Sequence, residues 1–266
     1  MSDLAGQRML VVGGSSGVGR AMVRGARQAG AIVGVAARRL ELLETLQAEC
    51  GCLIRQVDIA DPECGAAIDD LARRLGGVDQ LVITAAVVPM IPLRSMTAAD
   101  WAQLMAVNCI GPNLVISAAF PHLTPDAQVL VVSSDSSGAP WHSLAGYAAS
   151  KSALDDSLRA WRVEHPELRV TRVTLAATSE TDISRGMDPS VAAVAIPQWI
   201  VQGRLLANQM TTDDVALQLL SILAAGVAAP ETVIDDLMLR PRGGLMGSAT
   251  STIEQVEQQA FLEGTS

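Results

Sequence analysis

Tyr147, the only tyrosine among 266 residues, is followed four positions later by Lys151 in Gly146-Tyr147-Ala148-Ala149-Ser150-Lys151. On a helix that spacing places both side chains on one face. A free phenol titrates at about pH 10, too high for proton exchange at neutral pH. A neighbouring ammonium stabilises the phenolate and brings the group toward the working range of a general acid or base. Ser134 lies thirteen residues before Tyr147, at the end of the apolar run Val131-Val132-Ser133-Ser134, where its hydroxyl can donate to a substrate oxygen. Taken singly, a surface Tyr/Lys pair and a loop serine are common, so the chemistry depends on what brings the three together.

A second constellation lies near the N-terminus. The run Gly13-Gly14-Ser15-Ser16-Gly17-Val18-Gly19 joins an apolar strand to a helical pattern. Glycines there let a pyrophosphate approach the backbone at a helix N-terminus, whose free N–H groups and dipole favour an anion. A tight strand-to-helix turn is the plainer reading of the same residues. The next strand ends in Ala36-Ala37-Arg38-Arg39, with no acid before Glu41. A carboxylate at that point suits a ribose 2′-hydroxyl, whereas arginine accommodates a 2′-phosphate and grips it bidentately. The arginines therefore point to NADP(H), unless both are solvated residues capping the next helix.

The elements that must position these groups alternate. Strands are expected at 8–13, 31–37, 52–57, 80–85, 128–133, 169–175 and 232–239, with helices between them. One helix spans Val18 to Gln28, another Leu40 to Glu49, and a third starts with Asp61 as cap and Pro62 as its first residue. Strands apolar on both faces and joined by helices make a parallel sheet covered on both sides. The expectation is one α/β domain over 1–266, a doubly wound Rossmann-type fold with a seven-stranded parallel sheet. Ligands then bind beyond the carboxyl ends of the strands, at the switch point of the winding.

Composition narrows the field. Hydrophobic residues make up 49% and charged residues 18%, as in a packed globular chain, and aromatics are only 3%, leaving the core to aliphatic residues. Nineteen Lys and Arg against 28 Asp and Glu give a net charge of −9, which argues against a nucleic-acid partner. The N-terminus carries an acid and runs straight into a strand, unlike a signal peptide, and no apolar stretch is read as long enough to span a bilayer. Cys50, Cys52, Cys64 and Cys109 lack zinc-site spacing and are read as reduced core thiols of a cytoplasmic protein. His122 and His165 sit beside prolines with no ligand spacing, so no metal site is expected.

In order and spacing, the turn Val12–Gly19, Ser134 and Tyr147-x-x-x-Lys151 resemble the short-chain dehydrogenase/reductase family, over nearly the whole chain. The resemblance implies an NADP(H)-dependent oxidoreductase in which Tyr147 exchanges the proton and Ser134 positions the substrate oxygen. Lys151 would bind the nicotinamide ribose and lower the tyrosine pKa. Asn108, in Val107-Asn108-Cys109-Ile110-Gly111-Pro112, matches the helix asparagine that holds a relay water. Gly13, Ser15, Ser16, Gly17, Val18, Gly19, Arg38, Arg39, Asp58, Ala85, Thr181, Tyr147 and Lys151 form the implied cofactor set, with Asp58 near the adenine. Leu239-Arg240-Pro241 looks like the close of NADP-dependent members. Three positions depart from the family pattern. Val12 stands for Thr, Ile83-Thr84-Ala85-Ala86 for Asn-Asn-Ala-Gly, and Leu175-Ala176 for Pro-Gly. The second change is expected to remove polar groups that brace the central sheet, and the third to alter the backbone beside the nicotinamide.

On the substrate side, Trp141 and His142 are expected to line the pocket with Ser134 and Tyr147. The segment 182–210, with Met187, Ile196, Trp199, Ile200, Leu205, Leu206 and Met210, reads as a lid that favours an apolar carbonyl or alcohol substrate. The same stripe could pack against the body or a partner subunit. By family likeness the chain assembles as a homodimer or homotetramer through the helices bearing Asn108 and Tyr147. Two rivals keep the fold: a nucleotide-binding sensor or scaffold with little turnover, and an isomerase or dehydratase.

Overall fold

The structure, a computed structural model, describes residues 4–179 and 188–243. Seven strands form one sheet: β1 Arg8–Val12, β2 Ile32–Ala37, β3 Leu53–Gln56, β4 Val78–Ile83, β5 Leu123–Ser134, β6 Arg169–Leu175 and β7 Asp236–Leu239. Every pairing is parallel and the order is β3-β2-β1-β4-β5-β6-β7. All seven expected strands therefore exist, as does the doubly wound sheet. Only β6 keeps its expected bounds: β1, β2 and β3 are trimmed by a residue at one or both ends, β4 lies two residues earlier, and β5 and β7 differ most. β5 begins at Leu123 instead of 128, but its register against β4 shifts between Val78 and Gln80. Pro125 falls within that irregular stretch and cannot donate to a ladder. β7 is shorter than 232–239, because Thr232 N turns back onto the Ala229 carbonyl and the Thr232 carbonyl accepts from Arg169 Nε at 2.9 Å.

The helices are α1 Gly17–Gln28, α2 Leu40–Cys50, α3 Cys64–Leu75, α4 Ala98–Met105, α5 Gly111–Ala119, α6 Ala145–Glu164, α7 Pro189–Val201 and α8 Thr212–Ala228. Strand side chains alternate between two cores, as a parallel sheet covered on both faces requires. Met9, Val11, Val33 and Val35 pack with Met22 of α1 and Leu219 of α8. Leu10, Val12, Leu81 and Ile83 face the opposite way, toward Leu71 of α3, Ile116 of α5 and Leu154 of α6. The expected start of α3 is corrected. Asp61 does not cap it directly but accepts from Glu63 N at 2.9 Å, and its carbonyl accepts from Cys64 N, so a turn precedes the helix.

Between α4 and α5 the chain passes through a π-helical turn, Ala106–Ile110. Pro112 supplies the local reason: it cannot donate to the Asn108 carbonyl and its ring crowds that oxygen, so the helix widens there. The whole stretch Ala98–His122 is long and apolar enough to cross a membrane by length and composition, contrary to the sequence expectation. Its Val107, Val115, Ile116 and Ala119 are instead buried in the core beside α3, which is how a central helix of a packed domain passes the same test. All four cysteines are free thiols, Cys52 and Cys64 buried, Cys50 and Cys109 partly so.

Leu71 is fully buried and Val201 is 82% exposed. Leu71→Ala is expected to lower unfolding free energy in urea by about 2–5 kcal/mol, and Val201→Ala to leave it within about 0.5 kcal/mol.

Candidate active site

The strand order reverses between β1 and β4, and a cavity of about 930 Å³ opens there at the carboxyl edge of the sheet. That is within the range that holds a drug-sized ligand or cofactor. At one end it is lined by the glycine turn: Gly13, Ser15, Ser16, Gly17, Val18 and Gly19. Gly13 has φ +93°, and a Cβ there would overlap the backbone of Ala85; a Cβ at Gly19 would overlap the Gly13 carbonyl. The turn must be glycine because the ends of two strands and the start of α1 meet in one place. Its amide is fixed by Gly13 N donating to the Ala36 carbonyl at 2.8 Å.

Thr84 braces this junction, which revises the expectation that the family's polar contacts are lost here. Its hydroxyl donates toward the Val12 and Gly13 carbonyls at 3.3 and 3.2 Å, and its amide donates to Val12 at 2.8 Å. The hydroxyl absent from position 12 is thus replaced from the neighbouring strand. Arg38, Arg39, Asp58 and Ala85 border the same end. Arg39 Nη2 donates to Ser16 Oγ at 2.7 Å, which sets a guanidinium over the turn. A backbone cradle closed to any Cβ, with guanidinium groups at its rim, fits a phosphorylated dinucleotide.

Ser134, Trp141, Tyr147 and Lys151 border the other end. Tyr147 is 8% exposed and Lys151 2%. Lys151 Nζ donates to the Val132 carbonyl at 2.8 Å. Ser134 Oγ exchanges a hydrogen bond with Ser136 Oγ at 3.0 Å and accepts from Ser136 N at 3.2 Å. Burial pushes the Tyr147 phenol up to about 12, while the Ser134 hydroxyl pulls it down and the Asp135 and Asp155 carboxylates push it further up. Burial also drives the Lys151 ammonium down to about 8, against the carboxylate of Asp155. Burial thus dominates the shift of both groups.

Two expected residues stand elsewhere. His142 does not border the cavity: its ring shares a hydrogen bond with Ser143 Oγ at 2.9 Å, and its carbonyl accepts from Trp199 Nε1 at 2.9 Å. Asn108 is fully buried, with Nδ2 donating to Val87 O and Ser150 Oγ and Oδ1 accepting from Val87 N. Both amide protons are therefore engaged within the protein, and the side chain ties Val87 to α6. Thr181, like Met187, lies outside the described residues. In the lid segment Trp199 and Leu205 border the cavity, whereas Ile196 is 37% exposed. Among the described residues no three His, Cys, Asp or Glu gather as a metal site.

Asp135 is the site residue that motif reading misses. It follows Ser134, borders the cavity, and burial lifts its carboxyl to about 6. Its position directly after the strand-end serine was the available signal.

Sheet order, cradle and buried Tyr/Lys pair define a doubly wound α/β fold with its site at the switch point of the winding. Residues 7–191 match the short chain dehydrogenase family, and the chain belongs to that short-chain dehydrogenase/reductase family. It is 28% identical over 250 residues, 90% of its length, to glycine betaine reductase of Emericella nidulans, of which it covers 19%. It is 27% identical over 194 residues, 69% of its length, to 11-beta-hydroxysteroid dehydrogenase A of Sesamum indicum, covering 56% of that protein. The chain thus spans less than two thirds of these relatives. A solved short chain dehydrogenase from Burkholderia cenocepacia, in complex with NADP, matches with TM-score 0.76 at 25% identity, over 89% of this chain and 97% of that one.

Gly13→Ala is expected to weaken nicotinamide nucleotide binding by at least about tenfold in a fluorescence titration, because the new methyl displaces the turn from Ala85. A second expectation concerns Asp135. Its native carboxyl titrates at about 6 against an ordinary 3.8. Between those values the native state holds more protons than the unfolded one, so stability falls as pH rises, and the deficit is complete above about 6. Asp135→Asn should therefore raise the melting temperature at pH 8 and lose that advantage at pH 4.

Proposed function

We propose that the protein is an NADP(H)-dependent oxidoreductase moving a hydride between nicotinamide and a carbonyl/alcohol pair, with Tyr147 as general acid and base. The observation that carries this reading is the lone tyrosine, buried at the same cavity end as Ser134 and Lys151, with the glycine cradle at the other. Bound nicotinamide supplies or accepts the hydride. The chain's own residues handle the proton and the geometry. A phenol held up at about 12 stays protonated at neutral pH and is ready to donate to a developing alkoxide. Ser134, fixed by Ser136, offers a hydroxyl to the same oxygen. Lys151, which lines the same cavity, is the proposed cation that favours its anion once the proton has left.

Arg38 and Arg39 are the proposed grip on a 2′-phosphate, supported by the absence of an acid at the end of β2. Trp141, Leu144, Trp199 and Leu205 give the substrate end an apolar wall, which suits a bulky carbonyl compound. A homodimer or homotetramer through α4, α5 and α6 is supported by Ile110, in the π-helical turn between α4 and α5, and Val163 of α6, 51% and 81% exposed. Free thiols support a reducing, cytoplasmic setting.

The test is NADPH oxidation followed by absorbance against ketones, aldehydes and quinones. Tyr147→Phe should lower kcat by at least about 100-fold with nucleotide affinity retained. Replacing Arg38 and Arg39 by Ala should raise the KM for NADPH by about tenfold or more and leave that for NADH nearly unchanged. Turnover that survives Tyr147→Phe would overturn the assignment of the proton donor.

A further inference from the structure

The substrate end of the cavity holds a carboxylate for which the proposed reaction has no use. The backbone of Asp135 is fixed, its amide donating to the Leu175 carbonyl at 3.1 Å. Its side chain meets Ser134 Oγ at 3.5 Å, the long limit of a hydrogen bond, and its own amide and that of Ser136 also favour the charged form. Arg204, in the turn after α7, acts on it only from a distance, with no ion pair formed among the described residues. These contacts do not offset the loss of water, and burial raises the carboxyl's pKa. A cationic group entering the cavity would add an ionic partner at close range.

The walls around it specify what kind of cation. Trp141 and Trp199 border the same cavity and stand edge to face, centroids 5.3 Å apart and planes at 69°. Indole faces attract cations through their quadrupole, and most strongly those that are poorly hydrated. Leu144 and Leu205 complete an apolar surround. A primary ammonium needs several hydrogen-bond acceptors in exchange for its water, and this wall of indoles and leucines offers few. A quaternary ammonium needs none: it presents methyl groups to the rings and its charge to Asp135.

Resting on the reductase reading, we propose that Asp135, Trp141 and Trp199 select carbonyl substrates bearing a quaternary ammonium group. Asp135 is then a specificity-determining residue, set beside the serine that holds the reacting oxygen. Arg204 opposes the cation, but it stands outside the cavity wall, whereas Asp135 is part of it.

The test uses the NADP⁺-loaded protein, which cannot reduce a ketone, and two isosteric probes. Acetonyltrimethylammonium carries the charge; 4,4-dimethylpentan-2-one replaces its nitrogen by carbon. Calorimetric titration should give the cation a Kd below about 1 mM and a preference of at least about tenfold over the neutral ketone. Asp135→Asn, expected to fold with a higher melting temperature at neutral pH, should bring the two within about twofold. Trp141→Leu should weaken the cation more than the neutral ketone. Equal binding, tighter binding of the neutral ketone, no binding of either, or a preference that survives Asp135→Asn overturns the proposal. If neutral carbonyls are still reduced through Tyr147, only the charge selection falls. Failure of NADP⁺ to bind overturns the reductase reading and this proposal together.

Discussion

The close approach of β1 to the end of β4 governs the rest of the structure. There the winding reverses, so the chain leaving β1 has no neighbouring crossover to cover it, and an opening forms at the sheet edge. Gly13 sits against Ala85 and Gly19 against Gly13, with Thr84 bridging the two strands through its hydroxyl. Any side chain at these glycines would separate the strand ends and tilt α1, whose N-terminus faces the opening. The same few contacts therefore keep the sheet closed and hold the N-terminus of α1 at the cavity.

At the other end of the opening the governing quantity is desolvation. Lys151 and Tyr147 are carried inward by α6, and burial moves their pKa values in opposite directions, each toward the neutral form. What retains charge on Lys151 is Asp155, one helical turn further along. Asp155 is itself buried, accepting from Ser137 Oγ at 2.6 Å and Arg172 Nη1 at 3.0 Å. Arg172 continues to Asp236 of β7 at 2.8 Å. The loop after Ser134, helix α6 and the last two strands are thus joined by one chain of charges. Loss of Asp155 alone would leave Arg172 with a single, more exposed partner.

Positioning of the proton-transfer set is distributed over residues that do not border the cavity. Asn108 fixes Val87 on one side and Ser150 on the other, and the Ser150 hydroxyl donates to the Tyr147 carbonyl at 2.7 Å. The π-helical turn created beside Pro112 is where this asparagine sits. His142 holds Trp199 through a backbone carbonyl, so its ring type matters less to the wall than its place in the chain.

The glycine spacing, the Tyr147/Lys151 interval and the alternation of apolar strands with helices were legible in the sequence, because each is a local pattern with a local cause. Glycine is demanded by a turn, four residues make one helical turn, and strands buried on both faces must be apolar throughout. Those patterns determined the sheet and the family. They did not reveal that Thr84 replaces a hydroxyl missing from Val12, that His142 stands outside the cavity, or that Asn108 is spent on Val87. They also left open that β5 begins before Pro125 and that Asp135 is a desolvated acid at the cavity. Each of these depends on which groups from distant parts of the chain meet and how much water remains between them. Hydrogen-bond satisfaction and desolvation are properties of the assembled core, and only the tertiary structure decided them.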